Sequence, residues 1–567
     1  MRSRKSVVFV LVACLVAFGV LLSACTTQQE PIAKSEPATQ QPATKQEPSS
    51  QPSEKQAPAA TQPVAQPAAK KAPTDSLTVA LSTFEAETFL PWNGGVARQS
   101  YLLMIYDVLV YTDPTTGKLF PGLAEKWEMA PDGKSYTFWI RKGVQFNEGW
   151  GELTAEDVKY SIERMIGKDS IGSPAAILRS VIDRVEAPER YKAVVYLKSP
   201  LPGLVGGYMN DGNAAGIIVS KKYVTTVGDE KANAHPIGTG PYTLAEEHKK
   251  GGPIKLKTVD GVENHWRVVP EFKNVTFLLI PEEATRVAML KSGEVDLAPI
   301  SYDSIDTVKA SGLNVVSIKD NWAPLIRFGG LVSTDPKRYN PNNPWAKKEV
   351  RQALNYAVDK EAIAKNIFKG QATPTGASMP LDPWFGIEPY PYDTAKAKQL
   401  LAEAGYPNGF SLTLKTLTAN PGAELPTIGE AVAQYWKAIG IDVKIVPTDW
   451  GTVRGDLMGA KANDYLFTQR GQPFTDPIAG LGLEYQVSNA WTIYADKESI
   501  DLFDRISNEL DDKARDELTK QMGLFAREQA TNVFLVFANE PYGASKKIGK
   551  WPTIRMRPQN IESITHQ

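Results

Sequence analysis

Cys25 is the residue best placed for a covalent reaction. It ends the run Leu22-Ser23-Ala24-Cys25, behind Arg2, Arg4, Lys5 and an apolar stretch from Val7 to Leu22. Two small residues let a peptidase reach the bond before Cys25, and the thiol is then the acceptor for lipid. This is the pattern of a bacterial lipoprotein signal. The apolar stretch falls short of the roughly 20 residues that cross a bilayer and lies near the roughly 7–15 of a signal's core. Residues 1–24 are therefore read as a removable signal peptide and Cys25 as the lipidation site. The mature chain is expected outside the cytoplasm, anchored at the cell membrane by its N-terminus and facing the periplasm or the cell exterior.

Catalytic chemistry has little to work with. The four histidines are His235, His248, His265 and His566, and their spacing matches no metal-ligand pattern. His566 stands next to the C-terminus and is expected to fray. There is no H-E-x-x-H, no G-x-S-x-G elbow and no Walker loop. Acidic pairs such as Glu282-Glu283 and Asp511-Asp512 read as solvated helix faces. The chain is therefore read as a non-enzyme with no cofactor and no metal. Cys14 leaves with the signal and Cys25 carries lipid, so the body has no thiol left for a disulfide. A formal net charge of −1, without a basic stripe, argues against a nucleic-acid partner.

Binding chemistry is better supplied. The chain has 12 Trp, and several stand beside turn residues: Trp92 before Asn-Gly-Gly, Trp384 in Asp-Pro-Trp-Phe-Gly and Trp450 in Asp-Trp-Gly. A loop tryptophan offers a flat apolar wall with one N–H donor, which suits a ligand cleft.

The elements that must position these residues can be read in outline. At 567 residues the chain exceeds a single hydrophobic core, so two or more lobes are expected. Residues 26–74, almost wholly Pro, Ala, Gln, Thr, Lys, Glu and Ser, cannot bury enough apolar surface to fold. With Cys25 they read as a lipidated, disordered tether, with a span of about 40 Å as a flexible coil. From Leu77 the texture changes. Leu77–Leu81 and Tyr136–Ile140 read as strands, the second after an Asp132-Gly133 turn. Thr154 caps a helix. Glu282–Ser292, Thr394–Ala404 and Glu424–Ile439 read as helices stopped by Gly293, Gly405 and Gly440, each followed by a strand (Val295–Ala298, Ser411–Leu417, Ile441–Val446). Helices alternating with short strands imply α/β lobes. Gly238-Thr-Gly240-Pro241 reads as a tight turn using glycine's backbone freedom.

The segment AEKWEMAPDGKSYTFWIRKGVQFNEGWGELTAEDVKYSIERM, Ala124 to Met165, resembles the signature of the peptide/nickel/oligopeptide class (family 5) of solute-binding proteins of ABC transporters. The pattern continues, in the family's order, in PIGTGPYTL from Pro236, ATRVAMLKSGEVDLA from Ala284, EVRQALNYAVDK from Glu349 and YDTAKAKQLLAEAGYPNGF from Tyr392. The resemblance covers the chain from Leu77 onward.

The resemblance implies an α/β, two-lobed periplasmic-binding-protein type II fold with an extra inserted subdomain and a hinge between lobes. Residues 75–324 would form lobe I, with the insert at about 107–208. Residues 325–532 would form lobe II, and 533–567 would return to lobe I. Hinge crossings are expected near Trp322–Phe328 and Val533–Phe537. The implied function is that of a receptor. A monomer captures a peptide or other small solute between its lobes and delivers it to an ABC permease and ATPase complex. Oligosaccharide or anionic solutes, or sensing without import, are the alternatives. By position, ligand contacts would come from Gly94, Gly95 and Val96 on the first lobe and Phe467, Thr468, Gln469 and Arg470 on the second, with Trp322, Trp450 and Trp491. Arg470 stands where peptide-binding relatives carry an aspartate for the peptide's amino group. Its guanidinium points to a carboxylate, phosphate or sugar hydroxyl, or else to an internal acid such as Asp476.

Overall fold

The computed structural model describes residues 75–113, 117–378, 385–418, 423–471, 476–553 and 560–567. All of them belong to one compact unit, Pro67–Gln567. The signal, Cys25, the tether and Trp384 lie outside the described residues. Among the described residues no helix is long and apolar enough to cross a membrane.

A mixed sheet of twelve strands runs through the molecule. Its central path begins Tyr242–Leu244, Ile254–Thr258, Phe272–Leu279, Asp75–Leu81, Leu297–Pro299, Val536–Ala544. It continues through Asn314–Phe328 to Leu466–Gly471, Phe410–Leu417 and Ile441–Thr448. The pairs Asp75–Leu81 with Phe272–Leu279 and Phe410–Leu417 with Ile441–Thr448 are parallel. Their connections therefore need crossover helices, as the alternating pattern in the sequence requires.

Asn314–Phe328 joins the two halves. Asn314–Ile318 pairs with Glu540–Ala544, whereas Ala323–Phe328 pairs with Leu466–Gly471. The register breaks between Ile318 and Trp322, and Asp320 has φ 47°, an uncommon left-handed conformation for a residue with a Cβ. The returning chain does the same in reverse. Asn532–Phe534 pairs with Leu325–Arg327 and Val536–Ala538 with Ala372–Pro374, and only from Glu540 does the chain pair with Asn314–Ile318 of the other half. Two hydrophobic clusters form the core, the second of them reaching across this division at Leu290, Tyr302 and Val308. One includes Tyr101, Phe138 and Phe277; the other includes Leu354, Trp436, Phe467 and Phe534.

Most expected elements form, with limits moved by a residue or two. Ala155–Ile166 starts on a reciprocal cap: the Asp157 carboxylate accepts from the Thr154 N–H at 2.9 Å and from its hydroxyl at 2.8 Å. Glu283–Ser292, Thr394–Glu403 and Leu425–Lys437 are helices, and Gly293, Gly405 and Gly440 take φ of 80°, 88° and 94° beyond them. A separate four-stranded antiparallel sheet orders as Ala124–Met129, Ser135–Ile140, Lys192–Leu197, Ile182–Glu189.

Two readings need correction. Gly238 and Gly240 do not have positive φ. They are small because the Gln99–Ile105 helix lies against them; a Cβ on Gly238 would stand 2.0 Å from the Ile105 carbonyl oxygen. His566 does not fray. It stacks on Phe272 with ring centroids 4.6 Å apart, and its Nε2 lies 3.2 Å from the Asp75 carboxylate.

Candidate functional site

Strand geometry sorts the expected binding residues. Arg470 stands opposite Pro324, and Gln469 opposite Leu325. Successive side chains leave a strand on opposite faces. Phe467 to Arg470 therefore cannot line one cleft as a block: Thr468 and Arg470 share the face of Trp322, while Phe467 and Gln469 share that of Arg327. Phe467 is buried in the hydrophobic core. Thr468 is buried too, its hydroxyl accepting the Leu417 N–H at 3.0 Å, so both are framework residues here. Gln469 accepts from Arg327 Nη1 at 3.0 Å.

Arg470 sits at the centre of a junction. Its guanidinium lies over the Trp322 ring, 4.6 Å from the centroid, and its Nη2 is 3.5 Å from Glu540 Oε2. Asn321 Nδ2 donates to the same Glu540 oxygen. Trp322 itself is buried, with Nε1 donating to the Tyr302 hydroxyl at 3.0 Å. That hydroxyl in turn donates to the Asn539 carbonyl at 2.6 Å. Burial pushes the Glu424 carboxyl up, against the pull of the Arg470 charge, and Glu540 and Glu283 add to the rise. Arg470 thus has two acids near it, Glu540 and Glu424.

The expected alternative partner, Asp476, is engaged elsewhere. It caps the Pro477–Tyr485 helix, accepting from the Ile478 N–H at 2.8 Å. It also abuts a glycine of the inserted segment: a Cβ on Gly203 would lie 2.7 Å from its Oδ1. Glu540 was missed because the pairing depends on sheet register, which no local pattern reveals.

The remaining candidates fall into two groups. Trp450 and Trp491 come together as a parallel stack, centroids 5.3 Å apart and planes at 19°, half-buried, with Arg454 over Trp491. Trp450 begins a helix that follows directly on the carboxyl end of Ile441–Thr448, where open α/β sheets place ligands. Gly94 and Gly95 lie in a turn between Glu85 and Arg98. A Cβ on Gly94 would be 2.8 Å from Arg98 Nε, and one on Gly95 would be 2.7 Å from Glu85 Oε2. Val96 opens a short 3-10 turn. No hydrogen bond, ion pair or ring contact joins this turn to Arg470 among the described residues. Trp92 is buried beneath Arg164, 4.2 Å from its ring centroid.

A second ion network clamps the chain's last segment. Arg267 donates from Nε to Asp107 at 2.7 Å and from Nη1 to Glu562 at 3.0 Å. Asp107 is fully buried and also accepts from Tyr111, Thr239 and Trp266. Burial pushes its carboxyl up, but Arg267, His265 and the two hydroxyls overcome that and hold it below the usual carboxylate range.

Sheet and junction together fit a binding-protein architecture, and comparison with known proteins gives the family. Residues 118–490 match the model of bacterial extracellular solute-binding proteins, family 5 Middle. The chain is 30% identical over 396 residues to a dipeptide-binding protein of Escherichia coli (strain K12), covering 64% of this chain and 69% of that one. It is 29% identical over 346 residues to the glutathione-binding protein GsiB of Pectobacterium atrosepticum, where the match covers 60% of this chain and 63% of the relative, less than two thirds of its length. The fold is shared with the ABC transporter substrate-binding protein CtaP of Listeria monocytogenes, with a TM-score of 0.74, 22% identity, and 88% and 100% of the two chains covered. The chain belongs to the family 5 extracellular solute-binding proteins.

Proposed function

We propose that this chain is the receptor of an ABC importer, capturing a peptide or similar small solute between two lobes and passing it unaltered to a permease. The observation that carries the reading is the double crossing. Asn314–Phe328 and Asn532–Ala544 lie side by side, and each changes sheet partners within a few residues. In this reading 75–324 and 533–567 form one lobe, with an insert at about 107–208, and 325–532 forms the other. Hinges of this kind are a few element-terminal residues that absorb φ/ψ change, which suits the stretch around Asp320. Solute touches both lobes only when they are shut, so binding shifts the population toward closure.

The solute would meet Arg470, the Trp450–Trp491 stack and the Gly94–Val96 turn. Glu540 already pairs with Arg470, and Glu424 is a second acid near it. Arg470 is therefore no argument for an anionic cargo, and peptides, as the relatives' names indicate, fit better. Cys25 would carry lipid and hold the receptor at the membrane, as a monomer on the 26–74 tether.

A thermal-shift screen over dipeptides, tripeptides and glutathione, followed by small-angle scattering with the best hit, tests this. A higher melting temperature with a smaller radius of gyration is expected. A hit that binds without compaction overturns the closure reading. Lipid labelling that survives Cys25→Ser overturns the anchor.

A further inference from the structure

Glycine is a poor helix former, so a cluster of it in and beside a helix has a reason outside that helix. Helix Leu204–Tyr208 contains Gly206 and Gly207, and Gly203 precedes it. None of the three has positive φ, so backbone freedom is not the reason. Space is. The three atoms nearest to a Cβ placed on Gly203 all belong to Asp476, the first of them Oδ1 at 2.7 Å. The three nearest to one on Gly206 are also Asp476 atoms, beginning with Oδ2 at 3.0 Å. A Cβ on Gly207 would stand 3.5 Å from Ala479 Cβ and 3.7 Å from Asp476 Cβ.

These contacts cross between the two halves of the chain. The glycines belong to the insert, whereas Asp476 and Ala479 open helix Pro477–Tyr485 of the 325–532 excursion. Two further observations place the halves against each other here. Leu201 packs against both hydrophobic clusters, and Ala479 against the one that holds Tyr101 and Phe138. Gly133 is buried in its turn, where a Cβ would lie 2.8 Å from Leu510 Cδ2 and 3.0 Å from Pro200 Cβ. The glycine side is held by its own half. The Tyr136 hydroxyl donates to the Pro202 carbonyl at 2.7 Å, Asn210 Nδ2 to the Gly206 carbonyl at 2.6 Å and Asn213 Nδ2 to the Gly207 carbonyl at 3.2 Å.

We infer that Gly203, Gly206 and Gly207 are the seat of a closure latch, which receives Asp476 and Ala479 when the lobes shut. The inference rests on the two-lobe reading above. The seat fits only because it is bare. A methyl group added there meets the other half before anything of its own, so it leaves each lobe intact and opposes the shut form alone. The latch thereby sets how readily the receptor closes, whatever the solute.

The test is a thiol trap in the full chain carrying Cys14→Ser and Cys25→Ser, which has no other cysteine. Gly207→Cys with Ala479→Cys sets two Cβ atoms 3.5 Å apart, at the near end of the roughly 3.5–4.5 Å that a disulfide spans. With diamide as oxidant and no solute, the pair is expected to form its disulfide. Small-angle scattering should then give a smaller radius of gyration for the oxidised trap than for the reduced one. Adding Gly203→Ala should slow the oxidation about tenfold or more, as overpacking against Asp476 requires, with circular dichroism unchanged. Asp476→Ser, shorter and still a helix cap, should restore much of the rate. Should Gly203→Ala fail to fold, Gly206→Ala makes the same test. No disulfide, equal radii for the two trap states, or a rate indifferent to the alanine overturns the latch. Peptide-induced compaction of the unaltered chain is measured separately: compaction there beside an indifferent trap rejects the latch and keeps the two-lobe reading, whereas its absence rejects that reading itself.

Discussion

Replacing Arg267 by methionine removes the one cation between two buried acids. Asp107 is fully buried and Glu562 is 2% exposed, so neither carboxylate can turn to water. Breaking a buried pair by removing one partner costs about 3–5 kcal/mol, because the charge left behind stays unsolvated. The share from Asp107 is the smaller, since Tyr111, Thr239 and Trp266 still donate to it. Glu562 contributes more, because its Oε2 already lacks a partner. The pH dependence has a definite sign. The folded-state carboxyl of Asp107 is lowered, so its stabilisation is present above the unfolded value and is lost as pH falls through the lowered one. In Arg267→Met that carboxyl rises instead. The deficit against the parent is then greatest near neutrality and shrinks in acid, where a protonated Asp107 no longer needs the guanidinium. Urea unfolding followed by tryptophan fluorescence at several pH values measures both effects. Arg267→Met/Asp107→Asn should recover part of the loss at neutral pH. A loss below about 1 kcal/mol, flat with pH, would refute the reasoning, because that is the scale of an exposed pair.

Gly238→Ala should destabilise by about 1–3 kcal/mol, as overpacking does, because the new methyl meets the Ile105 carbonyl oxygen; a thermal melt reads it. Trp436→Phe leaves the Leu354 carbonyl without its 2.9 Å donor in a fully buried place and should cost about 1–3 kcal/mol in urea unfolding. Burial brings the Lys360 ammonium down to about 7 from 10.5, against the pull of Asp359. Between those values the unfolded chain keeps a proton that the folded chain has released, so stability rises with pH across that window. Lys360→Met should flatten the rise, which melting temperatures from pH 7 to 10 would reveal.

What the sequence made legible was local or repeated across a family. Thr154 with Asp157, and the stops at Gly293, Gly405 and Gly440, are short-range chemistry, and the structure has them at those places. The five ordered blocks gave the α/β binding-protein fold, because a family pattern carries long-range information that no single segment holds. The illegible part was the meeting of distant residues. Arg470 finds Glu540, and Arg327 finds Gln469, through sheet register. Four consecutive residues from Phe467 looked like one wall, but strand alternation divides them between two faces. Gly238 was assigned to a turn's dihedral freedom, when the reason is a neighbouring helix invisible from its own segment.

The chain goes out along Asn314–Phe328 and comes back along Asn532–Ala544, and these strands are hydrogen-bonded neighbours. Everything between them is one uninterrupted excursion, while Asp75 and the C-terminal segment, which His566 pins beside it, remain on the other side of the crossing. Topologically the far half is a guest spliced into a host. In the proposed two-lobe reading, a fluorophore near Asp75 or His566 reports on the host alone, so a reporter of relative motion needs its second probe inside the excursion.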